Sequence, residues 1–507
     1  MVERVRGTRK AGAAAAVALL LLLGLAPASS SAAAGPEGAA LIDLITVENG
    51  TTDKFGGGNE LLVRLGNQAV GVVYGGAGGE PGYVTFYAAV VRTLGTADVY
   101  ESSSGRLIRE DVPLPVVTVV AQRMLTLVEF RDLNGRNTSG DGIFNYRPNL
   151  STPEILDFNA SEPLVKALQL NGNWSLSGFE LAAAGDDAAS LDYTLTLAGV
   201  PYTRAGNAEW AGDGQVEAVS FHVHLEISRR TETLEFPHYN ASVVRTRDGR
   251  ELASITPAGT TNGTATITKA RLKVDHEVVG WDPAPTWHDG HSRLLLIAAM
   301  PVLNGVHDAM APWVNERALT GDRAGTARAE LPEGESVVIS EEESQRTETF
   351  ARALSLELRD NWRRVAHLEF EPTVQVWPRA ESEAPETGAA FLQVLGGAPV
   401  AERMGDTAFR GFLLLTGFSY PAGYRVYHDP EVVAEGIVLD GDSILPAVLP
   451  ALVMAAQFAV TALAVGGAVA LALYTASTRA RARATRDRQR LAALKERYRL
   501  PPGGDGG

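Results

Sequence analysis

Val219-Ser220-Phe221-His222-Val223-His224-Leu225-Glu226-Ile227-Ser228 is the stretch whose reading decides the fold. Its apolar side chains recur at every second position. In an extended chain Val219, Phe221, Val223, Leu225 and Ile227 share one face, and Ser220, His222, His224, Glu226 and Ser228 share the other. A helix would scatter the same residues around its circumference, so the pattern reads as a half-buried strand. A partner follows, in which Ala270, Leu272, Val274, His276 and Val278 alternate with Arg271, Lys273, Asp275 and Glu277. His276 falls on the apolar side and is expected to be a hydrogen-bonded core residue.

Working outward, further strands are expected at Leu61–Leu65, Val70–Tyr74, Tyr83–Arg92, Val116–Phe130, Leu191–Leu197, Leu294–Ala299, Leu354–Leu358, Val365–Phe370, Val374–Trp377 and Gly411–Phe418. One short helix is expected among them, at Ser161–Leu170. Trp281 and Trp287 are expected to close an edge of the core. The fold class is mostly β, in two or three β-sandwich-like units at 35–200, 201–320 and 321–445, the last after a Gly/Arg/Ala-rich linker at Thr320–Ala329. No period of about 20–50 residues recurs, which argues against a solenoid or propeller.

The chain also carries two segments of a different kind. Ala447–Tyr474 reads AVLPALVMAAQFAVTALAVGGAVALALY and has no charged side chain. At ~1.5 Å per residue a helix of that length exceeds a ~30 Å hydrocarbon core, so 447–474 is expected to be a transmembrane helix. The tail 475–507 is rich in arginine, from Arg479 to Arg499, and basic residues beside a span stay in the cytoplasm. At the other end Arg4, Arg6, Arg9 and Lys10 precede an apolar run from Ala11 to Ala26 and then small residues, the pattern of a signal peptide over 1–34. Together these imply a single-pass type I membrane protein with its exodomain outside. Ala462, Gly466 and Ala470 lie four apart in the span and would allow a homodimer through that helix.

Charge separates along the same lines. The chain carries −15; the tail from Arg479 contributes +6 and residues 1–34 contribute +3, which leaves −24 for the exodomain. That acidity argues against nucleic acid as a partner and suits solubility in salt or cation binding. Without cysteine there can be no disulfides, so stability must come from buried core, hydrogen bonds or metal, as in a prokaryotic envelope. Seven Asn-x-Ser/Thr sequons, at Asn49, Asn137, Asn149, Asn159, Asn173, Asn240 and Asn262, exceed the roughly two expected by chance and are expected glycosylation sites; the alternative is sequons that arise unmodified in Asn- and Thr-rich turns. All lie at or before residue 262, which by chain order would place sugar far from the bilayer and bare β structure beside it.

Two metal sites can be drawn from residue types. Asp132, Asn134, Asn137, Ser139, Asp141 and Asn145 bracket a Gly-rich loop with the oxygen donors calcium needs, although no acid stands at the closing position and Asn137 would serve sugar and ion at once. Its alternative is an Asx/Gly-rich hairpin turn. His222 and His224 on one strand face, with His288, Asp289 and His291 in a later loop, could supply zinc ligands; surface histidines are the alternative. No Gly-x-Ser-x-Gly, His-Glu-x-x-His or Gly-x-x-x-x-Gly-Lys motif occurs. The Gly-rich runs Gly56–Gly58 and Gly75–Gly79 lack the helix and lysine of a phosphate loop.

The entry Glu129-Phe130-Arg131-Asp132-Leu133-Asn134-Gly135, the pair Gly280-Trp281, and Tyr420-Pro421 before His428-Asp429-Pro430 resemble uncharacterised archaeal type I cell-surface proteins. That resemblance implies a cleaved signal, a sequon-rich β exodomain and one C-terminal span, and no particular activity. The expected function is a structural or interaction module of the envelope, with protein or glycan partners. A receptor or accessory subunit of a membrane complex is the first alternative, and a metal-dependent exohydrolase the second.

Overall fold

The computed structural model describes residues 40–52, 57–65, 68–76, 80–132, 142–144, 146–148, 158–160, 162–203, 214–246, 249–282, 292–307, 326–330, 336–339, 350–353, 355–360, 363–404 and 407–439. The expected signal peptide 1–34, the expected transmembrane helix 447–474 and the tail 475–507 lie outside them. Among the described residues no helix is long and apolar enough to cross a membrane.

The fold is mostly β, and among the described residues its ladders are antiparallel except for one parallel pairing, between β4 and β11. After a single helical turn, α1 (Leu41–Leu44), the strands β1 (Ile45–Thr52), β2 (Gly58–Leu65), β3 (Gln68–Tyr74), β4 (Thr85–Glu101) and β5 (Leu107–Arg131) form a meander. The short β6 (Tyr146–Pro148) pairs with β7 (Phe158–Ala160), and β8 (Leu164–Gln169) returns to β5. A second meander follows: β9 (Ser175–Ala183), β10 (Ala188–Pro201), β11 (Gln215–Thr246) and β12 (Gly249–Val279). The strand β13 (Ser292–His307) then docks on β5.

The remaining strands are β14 (Thr326–Glu330), β15 (Ser336–Ile339), β16 (Phe350–Ala353), β17 (Ser355–Asp360), β18 (Arg363–Glu369), β19 (Thr373–Trp377), β20 (Glu386–Ala389), β21 (Phe391–Met404), β22 (Thr407–Pro421), β23 (Arg425–His428) and β24 (Glu431–Leu439). They do not stay among themselves. β22 pairs with β13, and β23 and β24 both pair with β12. The stretches 35–200, 201–320 and 321–445 therefore interleave, with β13 between β5 and β22, and one apolar cluster draws on all three.

The alternating stretch sits where its pattern puts it. Val219, Phe221, Val223, Leu225 and Ile227 are buried, and His222 and His224 are half-exposed on the other face. Phe221 stacks on Trp174 at 5.2 Å between ring centroids and meets the edge of Phe86 at 5.9 Å, which ties β11 to β4 through side chains. The expected partner strand is β12, in the register Val219 opposite Val278 and Ile227 opposite Ala270. Trp281 is fully buried, while Trp287 lies outside the described residues.

The expected helix at Ser161–Leu170 is instead the strand β8. Leu164, Val165, Lys166, Ala167 and Leu168 are all buried, so both faces of this segment are covered. A short run that is apolar on both faces has no period to betray it, and pairing with β5 decides its conformation.

β11 and β12 are 32 and 31 residues long, so at ~3.3 Å per residue their hairpin approaches ~100 Å. Past Ser228 the ribbon leaves the main core and gains a second support. His238–Val243 of β11 pairs in parallel with Thr96–Glu101 of β4, and Phe236, Tyr239, Ala241 and Ile255 are buried there. A glycine makes the approach possible: a Cβ on Gly95 would lie 2.4 Å from the Pro237 carbonyl oxygen. The registers also give a common direction. β4, β11, β13 and β21 all run toward one end, and β24 runs the same way, from Glu431 opposite Lys273 to Leu439 opposite Ala265.

Candidate functional site

The parallel contact between β4 and β11 assembles a site from three strands. Irregularities in the β4–β5 ladder around Asp98 leave Asp111 in the left-handed region, at φ +48°, with its N–H donated to Asp98 Oδ1 at 3.0 Å. From β11, His238 enters between the two carboxylates. Its Nε2 lies 3.3 Å from Asp98 Oδ2, and its Nδ1 lies 3.6 Å from Asp111 Oδ1 and 2.8 Å from the Thr96 hydroxyl. Thr96 is buried and orients the ring, whereas Asp111 is exposed.

Two kinds of chemistry fit this arrangement. As ion pairs, the three side chains clasp the β4–β5 hairpin to the β11–β12 hairpin. As ligands, one imidazole and two carboxylates lie within 4.8 Å of one another. A tetrahedral ion with bonds of ~2.0–2.1 Å sets its ligand atoms ~3.3–3.4 Å apart; His238 Nε2 and Asp98 match that edge, whereas Asp111 faces the other ring nitrogen, Nδ1, and would have to turn to join an ion on Nε2. Zinc or manganese suits such a donor set, with water completing the shell on the open Asp111 side. No spacing in the chain announces the site, because its members come from residues 98, 111 and 238 and meet only through the parallel ladder.

Of the residues expected to gather calcium, Asp132 is described; Asn134, Asn137, Ser139, Asp141 and Asn145 lie outside the described residues. Asp132 is buried and its Oδ2 accepts the Gly142 N–H at 2.7 Å, which closes the loop at its base. Gly142 has φ +83°, and Phe144 packs edge-on against Phe130 at 5.0 Å. Of the zinc set, His222 and His224 are described. His222 engages Glu277 at 2.8 Å and Thr194 at 3.2 Å, while His224 engages Asp192 at 2.7 Å. The hydrogen bond to Glu277 raises the His222 pKa, and the same bond lowers that of Glu277. His288, Asp289 and His291 lie outside the described residues.

The residues that carried the resemblance turn out to hold the interior together. Glu129 is fully buried and accepts the Trp281 indole N–H at 2.9 Å and the Ser292 hydroxyl at 2.5 Å. Lys166 comes to 3.9 Å from the same carboxylate, donates to the Asp282 carbonyl, and lies over the rings of Tyr202 and Trp281 at 3.8 and 5.1 Å. Burial pulls the Lys166 pKa down, and Glu129 followed by Asp282 opposes that shift. A second pair, His276 and His428, stands directly cross-strand on β12 and β23. His276 meets the Tyr420 hydroxyl at 2.8 Å, as its apolar position predicted, and His428 donates Nε2–H to the Glu371 carbonyl at 2.7 Å.

Comparison with protein-family models, with curated proteins and with solved structures finds no match for this chain.

Proposed function

We propose that the chain is a membrane-anchored, N-glycosylated cell-surface protein, a structural or interaction module of the envelope with its exodomain outside. The observation that carries this reading is the placement of the sequons. Asn49, Asn173, Asn240 and Asn262 are all exposed, and at two of them the next residue, Trp174 or Ala241, is buried. Each asparagine is thus presented outward from a strand or strand entry that the core holds in place. The exodomain is read as sandwich-like layers, with the Phe86–Phe221 contact between them. Its last described strand, β24, leaves seven positions before the apolar segment that begins at Ala447.

Height above the bilayer does not follow chain order in this reading. Asn49 and Asn173 belong to the body, but Asn240 stands opposite Asp98 in the parallel ladder, toward the end where β24 points. Sugar would therefore clothe the ribbon as well as the body. Mass spectrometry of the native protein tests the glycan part: modified peptides at these four asparagines support it, and an intact mass equal to the bare chain overturns it.

A further inference from the structure

We propose that the side chains of Lys166 and Glu129 condense to an amide, a covalent cross-link between β8 and β5. The bond concerns the interior of the β structure alone, so neither its presence nor its absence bears on the membrane anchor or the sugars proposed above.

Placement is the first argument. Glu129 and Lys166 stand directly opposite each other in the β5–β8 ladder, and both are buried, at 0% and 1% exposure. Lys166 is the one buried lysine among the described residues. Its Nζ stands 3.9 Å from Glu129 Oε2. The Cβ atoms of directly opposed residues lie ~4.5–5.5 Å apart, a gap that a lysine–glutamate amide spans with slack, so neither strand has to move. The surroundings keep the pair dry and in place. Tyr202 and Trp281 cover the amine, with their own rings meeting edge to face at 5.1 Å, and the Asp282 carbonyl accepts a hydrogen bond from Nζ and holds it beside the carboxyl group.

Chemistry is the second argument. A buried ammonium–carboxylate pair gives up the hydration of two full charges, whereas the amide it can form is neutral. The step balances within the pair. The Nζ–Cδ bond forms, one Cδ–Oε bond breaks, and the departing oxygen takes two of the three ammonium protons and leaves as water. No oxidant or cofactor enters. The first proton passes from Nζ to the carboxylate, and burial, which pulls the Lys166 pKa down, favours the free amine that results. That amine attacks Cδ. Both carboxyl oxygens already have donors, the Trp281 indole N–H at 2.9 Å on Oε2 and the Ser292 hydroxyl at 2.5 Å on Oε1, so the negative charge that develops on oxygen in the tetrahedral intermediate is held. The amide closes residues 129–166 into a ring, a constraint on the unfolded chain that no disulfide can supply where there is no cysteine.

Peptide mapping reads the bond directly. Full-length chain is made in a host that adds no N-linked sugar, purified, denatured and cut with trypsin. An amide at Lys166 removes the charge that trypsin needs, and Glu129 lies in the tryptic peptide Met124–Arg131. Free Met124–Arg131 is expected to be missing from the map and to be recovered joined to a peptide uncut after Lys166, the joined species being lighter than its two parts by one water. Fragmentation of that species is expected to place the link at 129 and 166. Lys166→Arg should release Met124–Arg131 in full, and because the digest is made on denatured chain the result does not depend on how well the variant folds. Recovery of free Met124–Arg131 from the parent in the yield of its neighbours, with cleavage after Lys166, overturns the proposal and leaves a buried ion pair. Its continued absence from the Lys166→Arg digest overturns the proposal as well.

Discussion

His428→Gln should blunt the loss of stability that the protein suffers in acid. In the native structure His428 donates Nε2–H to the Glu371 carbonyl, so its neutral form leaves Nδ1 bare. That nitrogen is buried without a partner, with the rings of Phe370, Tyr420 and Phe418 at 4.8, 4.9 and 6.5 Å from the imidazole. A second proton would have no acceptor there. Burial accordingly pushes the pKa from 6.5 down to about 4, although the Glu371 carbonyl and the nearby Asp429 and Glu371 carboxylates favour the charged form. Across the ladder His276 is held well below its ordinary value by burial and then by His428, so it too stays neutral.

The folded pKa lies below the unfolded one, so as pH falls the unfolded chain takes the proton first. The stabilisation is complete above about pH 6.5 and is lost progressively down to about pH 4. At ~1.4 kcal/mol per pH unit the His428 contribution totals ~3 kcal/mol, of which ~2 kcal/mol disappears between pH 7 and pH 5. Glutamine keeps an N–H for the Glu371 carbonyl and cannot titrate. Denaturant unfolding of both proteins at the two pH values measures the difference, and any fixed structural cost of the substitution cancels. The variant should lose ~2 kcal/mol less than the parent over that interval. Equal losses would refute the assignment of a neutral, proton-excluding His428.

Other substitutions probe the packing and the clasp. Gly95→Val should push β4 from the Pro237 backbone and cost ~1–3 kcal/mol, read as a lowered thermal midpoint; an unchanged midpoint would show that the crossing is not tight. Phe221→Ala removes the ring shared by Trp174, Phe86 and His276 and should cost ~3–5 kcal/mol by denaturant midpoint. Zinc or manganese added to the full chain should raise the thermal midpoint, and His238→Ala or Asp98→Asn should abolish the rise. A flat titration of the parent leaves Asp98, Asp111 and His238 as an ion-pair clasp.

Where one face is buried, the chain announces its structure. Val219–Ile227 and Ala270–Val278 alternate because the core lies on one side of each, and His276 was placed by the same rule. Leu294–Ala299 was legible as the fully apolar middle of β13, covered between β5 and β22. Beyond Ser228 the signal fades: Arg229, Arg230, Thr231, Glu232 and Thr233 are polar on both faces, and the ribbon continues through backbone hydrogen bonds to β12. Its length was therefore invisible, as was the parallel register that brings His238 to Asp98. The interleaving of the three stretches had no local signature, because a ladder such as β12–β24 is decided by residues far apart in the chain. Glu129, Trp281, Tyr420 and His428 stood out by resemblance, and the structure gives them a physical role as partners of buried polar groups.

The most direct test of the proposed anchored exodomain is protease shaving of intact cells that carry the protein with an epitope added after Gly507. The account predicts that the exodomain is removed while a short tagged fragment, comprising the apolar segment and the basic tail, stays protected in the membrane pellet. A chain that resists shaving until the cells are broken, or a tagged fragment found outside the membrane pellet, would contradict it.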